Sequence, residues 1–261
     1  MTEVALLLDV SKCTGCRACQ VACKQWNDLP AETTANRGTY ENPPDLSFST
    51  RTRIRFLEYE RAEGLAWYFF NQRCLHCTDA ACVNSCEPQA LKHNEMGFVS
   101  YEPGLCIGCG YCAETCPFGI PRLSETGIIF PDTRKMNKCD FCADRTTNGL
   151  QPACAKACPT GAITFGERAE MIAKGKARVE ELIANGYTDA NFYGENEMGG
   201  LHQMYVLPEK PSVFGLPENP QARPLVKAPE LPVSVGTAVV GAAVGGLLAL
   251  RARGMKKKTH E

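Results

Sequence analysis

Apolar runs spaced along the chain predict its elements. Val4 to Val10 is apolar apart from Asp9 and short enough to be a buried strand. Phe98-Val-Ser-Tyr101 and Ile128-Ile-Phe130 repeat the pattern in shorter form, and Arg51 to Tyr59 and Leu65 to Asn71 also read as strands. The aromatic run Trp67-Tyr-Phe-Phe70 lies in the last of these and is expected to be core rather than a binding site. Glu167 to Ala184 places Met171, Ile172, Val179, Leu182 and Ile183 at helical intervals and is stopped by Asn185-Gly186. Asn27 to Ser49, rich in Pro, Asn, Thr and Gly, predicts a surface loop.

Toward the C-terminus the pattern changes. Residues 208–232 contain seven prolines and predict an extended tether. Leu231 to Leu250 then runs for twenty residues without a charge between Glu230 and Arg251, which as a helix spans about 30 Å, one bilayer core. Gly241-x3-Gly245 offers a face on which a second membrane helix can pack. Arg251, Arg253, Lys256, Lys257 and Lys258 follow at once, and basic flanks stay cytoplasmic. The expected topology is a single pass of the inner membrane, with the C-terminus cytoplasmic and the globular part periplasmic. Met1 to Asp9 lacks the basic start of a signal peptide, so export already folded, with a partner that carries a twin-arginine signal, is expected.

The chemistry lies in the cysteines. Cys106-Ile-Gly-Cys-Gly-Tyr-Cys-Ala-Glu-Thr-Cys-Pro117 has the bacterial ferredoxin spacing, in which three thiolates hold one [4Fe-4S] cluster and the fourth reaches a neighbouring one. Gly108 and Gly110 suit a loop whose backbone N–H groups approach the cluster sulfurs. Cys112 and Cys116 are one helical turn apart, and Pro117 ends that helix.

Three further quartets keep the Cys-x2-Cys opening and the Cys-x3-Cys close: Cys13, Cys16, Cys19 and Cys23; Cys74, Cys77, Cys82 and Cys86; Cys139, Cys142, Cys154 and Cys158. The middle gaps hold 2, 4, 2 and 11 residues in chain order, and the quartets use all 16 cysteines. Pro159-Thr-Gly-Ala-Ile-Thr-Phe165 follows the last quartet as a turn and a strand, and Cys86 to Leu91 and Cys116 to Ile120 look like degenerate copies of it. Strand, cysteine loop, short helix, turn and strand thus form an internal repeat. Each unit is too small for a full core, so the clusters are expected to replace part of it and the apo-protein to fold poorly.

Disulfides belong to small secreted domains without a core, whereas this chain has 261 residues and is 44% hydrophobic. Structural zinc uses paired Cys-x2-Cys motifs and leaves the constant x3 spacing and the prolines Pro117 and Pro159 unexplained. Four [4Fe-4S] clusters account for every cysteine. A net charge of -1 argues against a nucleic-acid partner. None of His76, His93, His202 and His260 pairs with a catalytic partner, so the chain is expected to conduct electrons rather than catalyse, with His76 structural or beside a cluster. Lys12, Arg17 and Lys24 crowd the first quartet and are expected to raise the potential of its cluster. Spacing alone leaves two pairings open: second with third quartet and first with fourth, or first with second and third with fourth.

The four quartets, Cys139-Asp-Phe-Cys142 with its insertion to Cys154, the Cys158-Pro-Thr-Gly-Ala-Ile163 run and the tail Gly199-Gly-Leu-His-Gln-Met-Tyr-Val-Leu207 resemble the iron-sulfur β subunit of membrane-bound respiratory formate dehydrogenase. The resemblance runs from about Val4 to Pro220 and continues in kind through the C-terminal helix. The quartets alone are shared by electron-transfer subunits of nitrate, dimethyl sulfoxide and polysulfide reductases and by a hydrogenase-associated ferredoxin subunit; the Gly-Gly-x-His-x-Met-Tyr-Val tail is more specific. The resemblance implies interlocked quartets and four ligand sets: Cys13, Cys16, Cys19 and Cys158; Cys139, Cys142, Cys154 and Cys23; Cys74, Cys77, Cys82 and Cys116; Cys106, Cys109, Cys112 and Cys86.

It further implies relay of electrons from a molybdopterin subunit carrying molybdenum or tungsten to an integral-membrane cytochrome b that reduces quinone. The alternative is a ferredoxin-like subunit of a periplasmic membrane-linked hydrogenase or of another molybdopterin oxidoreductase. The fold expected is α+β: two interlocked 2[4Fe-4S] ferredoxin-like modules with insertions, plus one transmembrane helix. Its divisions are a four-cluster domain over 1–165 with an insertion at 24–73, a helix and tail packing on it over 166–207, a tether over 208–230, the span 231–250 and a basic tail over 251–261.

Overall fold

The first apolar run becomes strand β1, Val4–Asp9, with all six residues buried. Such burial requires neighbours on both edges. Residues 4–8 pair antiparallel with β8 (Ile163–Glu167) on one side, and residues 6–9 pair parallel with β10 (Gln203–Leu207) on the other. With β9 (Asn191–Tyr193) beyond β10, the sheet order is β8-β1-β10-β9. Structure is described for residues 2–61, 64–125 and 134–225 in this computed structural model; Ile128–Phe130 and the candidate span 231–250 lie outside them. Among the described residues no helix is long and apolar enough to cross a membrane.

The remaining elements, in chain order, are helix α1 (Ala18–Trp26), the paired strands β2 (Thr52–Arg61) and β3 (Gly64–Arg73), helix α2 (Ala81–Asn84) and strands β4 (Leu91–His93) and β5 (Val99–Tyr101). Helix α3 (Tyr111–Thr115), the two-residue strands β6 (Arg122–Leu123) and β7 (Met136–Asn137), and helices α4 (Ala143–Thr146), α5 (Ala153–Lys156) and α6 (Arg168–Ala184) follow. The mixed α/β character expected from the sequence is present. So is the cluster-flanking repeat: α1 packs on α5, and α2 on α3, so the short helices of the first and fourth quartets meet, as do those of the second and third.

Three expectations need correction. The tail through Gln203–Leu207 is no appendage: β10 is fully buried inside the main sheet, because its apolar residues are matched by β1 alongside. The proline-rich stretch is packed, not extended, from Pro208 to Leu216. Glu209 accepts a hydrogen bond from the Tyr68 hydroxyl at 2.7 Å and pairs with Arg61 at 3.2 Å, and Phe214 is 1% exposed. Phe214 lies against Tyr68 and Phe70, which gives this segment an apolar anchor that proline counting overlooks. The four aromatics Trp67 to Phe70 are not all core. The strand period of two buries Tyr68 and Phe70 and leaves Trp67 48% exposed on the other face, edge-on to Tyr40.

The 27–49 segment is a surface loop as expected, pinned to the body by Arg53–Glu41 at 2.6 Å and Arg122–Asp45 at 2.9 Å. The helix expected over Glu167–Ala184 forms as α6, capped at Asn185; Met171 and Leu182 are buried, whereas Ile183 is 49% exposed. Its Gly175 approaches the Phe192 ring of β9 so closely that a Cβ would sit 2.4 Å from it. Alanine is the better helix former by about 1 kcal/mol, but the clash costs about 1–3 kcal/mol. Gly175→Ala is therefore expected to lower the urea midpoint followed by circular dichroism; a raised midpoint would show that the contact is slack.

Candidate iron-sulfur centres

The first and third quartets are delivered by the same device. Before Cys13, the Asp9 carboxylate accepts the Ser11 N–H and caps a 3-10 turn at Val10–Lys12. Before Cys106, the Glu102 carboxylate accepts the Gly104 N–H and caps a 3-10 turn at Pro103–Leu105. Each quartet then turns through left-handed backbone: Gly15 and Arg17, His76, Gly108 and Gly110, Phe141 and Cys142. At Gly108 this is obligatory, since its φ is +70° and a Cβ would lie 2.2 Å from the Arg134 carbonyl oxygen. A short helix follows in each quartet and turns the later cysteines inward.

All 16 cysteines are free thiols. One hollow of about 450 Å³, partly open to solvent, is lined by Cys13, Cys16, Cys19 and Cys158. A second, of about 330 Å³, is lined by Cys86, Cys106, Cys109 and Cys112. The other eight form two groups in the interior. Burial pushes the Cys23 thiol up, and Cys139, Cys154 and Cys142 beside it push the same way. Burial does the same to Cys77, with Cys74, Cys116 and Cys82 adding to it. Each group takes three cysteines from one quartet and one from another, a crossing made possible by the contacts of α1 with α5 and of α2 with α3.

The groups follow one another in a row. Cys19 of the first neighbours Cys154, Cys74 of the third neighbours Cys139, and Cys82 of the third neighbours Cys112 of the fourth. The order is Cys13/16/19/158, then Cys23/139/142/154, then Cys74/77/82/116, then Cys86/106/109/112. Cys16 and Cys109 are exposed, one at each end, and every other cysteine is buried or half-buried.

Burial pushes Cys19, Cys82, Cys112 and Cys142 up to about 12 and Cys74 up to about 11. These sulfurs are therefore neutral thiols until metal replaces their protons. Among the described residues no three Cys, His, Asp or Glu side chains converge as ligands of a single ion do. The cysteines wall hollows instead, and the donor set is entirely soft thiolate, which suits an iron-sulfur cubane touched at its corners.

Polar groups aimed at the sulfurs are few. The Asn71 amide donates to Cys19 Sγ at 3.1 Å. Arg73, 3% exposed, directs Nη2 to Cys154 Sγ at 3.1 Å and Cys139 Sγ at 3.6 Å. Lys138, 1% exposed, donates from Nζ to the carbonyl oxygens of Val99 at 3.0 Å and Cys139 at 2.9 Å. His76 is buried beside the third group, where its Nδ1 accepts the Val99 N–H at 3.2 Å and burial holds the ring neutral. His202 is likewise buried, bonded to the Val4 carbonyl at 2.8 Å, and His93 is exposed.

Of the three cations expected around the first quartet, Arg17 lines its hollow and Lys12 and Lys24 are drawn elsewhere. Lys12 lies 3.6 Å from Asp9, Arg17 stacks on Phe56 at 4.9 Å, and Lys24 donates to the carbonyls of Pro30 and Ser49 at 2.9 Å each. The fully buried cations among the sulfurs are Arg73 and Lys138, while half-buried Lys135 donates to the Cys106 carbonyl beside the fourth group. A signal was available: a basic residue stands immediately before the opening cysteine of three quartets, Lys12, Arg73 and Lys138.

Loops of this kind wrapped around grouped thiols define a ferredoxin-like [4Fe-4S] protein, and residues 65–168 match a family described as 4Fe-4S dicluster domain. The chain is 44% identical over 229 residues to the formate dehydrogenase-O iron-sulfur subunit of Escherichia coli, covering 86% of this chain and 74% of that protein. It is 43% identical over 224 residues to the formate dehydrogenase iron-sulfur subunit of Haemophilus influenzae, covering 84% and 70%. It is 40% identical over 186 residues to formate dehydrogenase 2 subunit beta (cytochrome c-553) of Nitratidesulfovibrio vulgaris, covering 68% and 82%. The chain belongs to the formate dehydrogenase iron-sulfur subunits.

Proposed function

We propose that the chain binds four [4Fe-4S] clusters and relays electrons from a molybdenum or tungsten formate dehydrogenase catalytic subunit to a cytochrome b and quinone in the membrane. The observation that carries this reading is the single row of four cysteine groups with an exposed cysteine at each end. The ligand sets are Cys13, Cys16, Cys19 and Cys158; Cys23, Cys139, Cys142 and Cys154; Cys74, Cys77, Cys82 and Cys116; and Cys86, Cys106, Cys109 and Cys112. Bound clusters would supply one-electron couples; the chain supplies the thiolates and brings one cysteine of each end set, Cys16 and Cys109, to the surface. Asp9, the one carboxylate among the described residues that lines the two end hollows, is taken up by the Ser11 N–H and Arg178, which supports a non-catalytic role in a larger oxidoreductase.

The membrane placement rests on sequence. The uncharged stretch 231–250 and the basic residues after it support a single-pass anchor with the cluster domain on the periplasmic side. A second reading follows from the relative whose name includes cytochrome c-553: in this chain too, the acceptor would be a c-type cytochrome.

Anaerobically purified full-length chain in its complex is expected to add about sixteen irons and sixteen sulfides to those of its partners; a much smaller increment removes the reading. Shared ligation predicts non-additive losses: Cys13→Ala and Cys158→Ala each remove about a quarter of that iron and the double variant no more, whereas Cys13→Ala with Cys23→Ala removes about half. The reverse pattern would mean that each quartet keeps its own cluster. Protease added to spheroplasts should digest the cluster domain and spare the C-terminal tag, and the opposite result overturns the topology. Co-purification of a haem b membrane subunit, rather than a c-type cytochrome, separates the two acceptors.

A further inference from the structure

Two full positive charges are buried within the row of sulfurs, and nothing in the relay as described above uses them. Arg73 ends β3 and reaches Cys139 and Cys154 with the same nitrogen. Cys19 and Cys23 also feel its charge, so it stands where the first and second groups meet. Two of its nitrogens, Nε and Nη1, have no protein partner, and no carboxylate pairs with it among the described residues. Lys138 stands at the next junction. It is fixed by two carbonyl oxygens and lies near Cys74 and Cys82 of the third group and Cys139 of the second. Among the described residues the junction of the third and fourth groups has no such fully buried cation: there Thr115 and Ser85 share a hydrogen bond at 3.1 Å, and half-buried Lys135 lies on the far side of the junction, at Cys106 of the fourth group.

Structural roles do not account for this arrangement. Burying an unpaired guanidinium or ammonium is costly unless opposite charge lies close by. At Arg73 the nearest negative charge can come only from cluster-bound thiolates; at Lys138 Cys74, Cys82 and Cys139 weigh more than Asp140, whose carboxylate is itself paired with Arg51 at 2.8 Å. Reduction adds one electron to such a site, so a nearby fixed positive charge favours the reduced form, and burial keeps that effect from being screened by salt.

We propose that Arg73 and Lys138 set the potentials along the row: Arg73 raises those of the first and second sites, Lys138 those of the second and third, and the fourth is left as it is. The Cys23/139/142/154 site is touched by both and is where an electron rests most favourably. This rests on the four-cluster reading above. Wild-type protein short of sixteen irons would sink that reading, whereas fully loaded protein leaves the tuning to be judged separately.

The test is redox-titrated EPR of the full-length chain in its complex, with iron and spin counted for each variant. Lys138→Met should lower two of the four couples, making reduction at each about tenfold less favourable, which is about 59 mV for a one-electron couple. Arg73→Gln should lower a different pair that shares one member with the first. Lys138→Arg and Arg73→Lys, which keep the charge, should restore the wild-type values. The couple of the Cys86/106/109/112 site should stay fixed throughout and serves as an internal reference. Loaded neutral variants with four unshifted couples overturn the proposal, as does an equal shift of all four. Loss of iron from both neutral variants, with the charge-keeping ones loaded, also overturns it, because the cations would then be needed for cluster retention rather than tuning.

Discussion

The structure depends on the need of buried sulfur for metal. Eight of the sixteen cysteines are buried and six more half-buried, many in hollows with few other polar groups. Burial pushes Cys19, Cys23, Cys74, Cys77, Cys82, Cys112 and Cys142 up, so each of these holds its proton and its bare thiolate is disfavoured. Iron reverses this preference, because a metal-bound thiolate is compensated where it stands. The loops around the cysteines are rich in left-handed backbone, and metal bound among their sulfurs would tie them together.

The crossing of cysteines between quartets follows from that need. A Cys-x2-Cys-x2-Cys loop walls three sides of a cubane, and a helix one turn long carries the next cysteine away from it. α1 meets α5 and α2 meets α3, so each helix delivers its last cysteine to the partner's hollow. Segments distant in sequence, such as those of Cys13 and Cys158 or Cys86 and Cys106, thereby line shared hollows. The four-stranded sheet and α6 support the first two groups, while the small pairs β4–β5 and β6–β7 support the fourth.

Much of the site was legible because its chemistry is written in spacing. The sixteen cysteines, the glycines Gly108 and Gly110, the buried first strand and the amphipathic helix after Glu167 all follow local rules. What stayed hidden depends on distant neighbours. Gln203–Leu207 looked like a tail because nothing local shows that β1 needs a parallel partner there. The packing of Phe214 is invisible in a stretch dominated by proline. Lys12 and Lys24 drew attention by proximity in sequence, yet a carboxylate and two carbonyls take up their charge and only Arg17 of the three lines the first hollow; Arg73 and Lys138 lie among the sulfurs because β3 and β7 end there.

The parallel pairing of β1 with β10 bears on biosynthesis. β1 stays without one of its two edge partners until residues 203–207 have been translated. Cys13 and Cys158, which line one hollow, are likewise made far apart in time. A nascent chain therefore cannot close that hollow until the fourth quartet has emerged, which puts any loading of it with iron and sulfide late in elongation or after it.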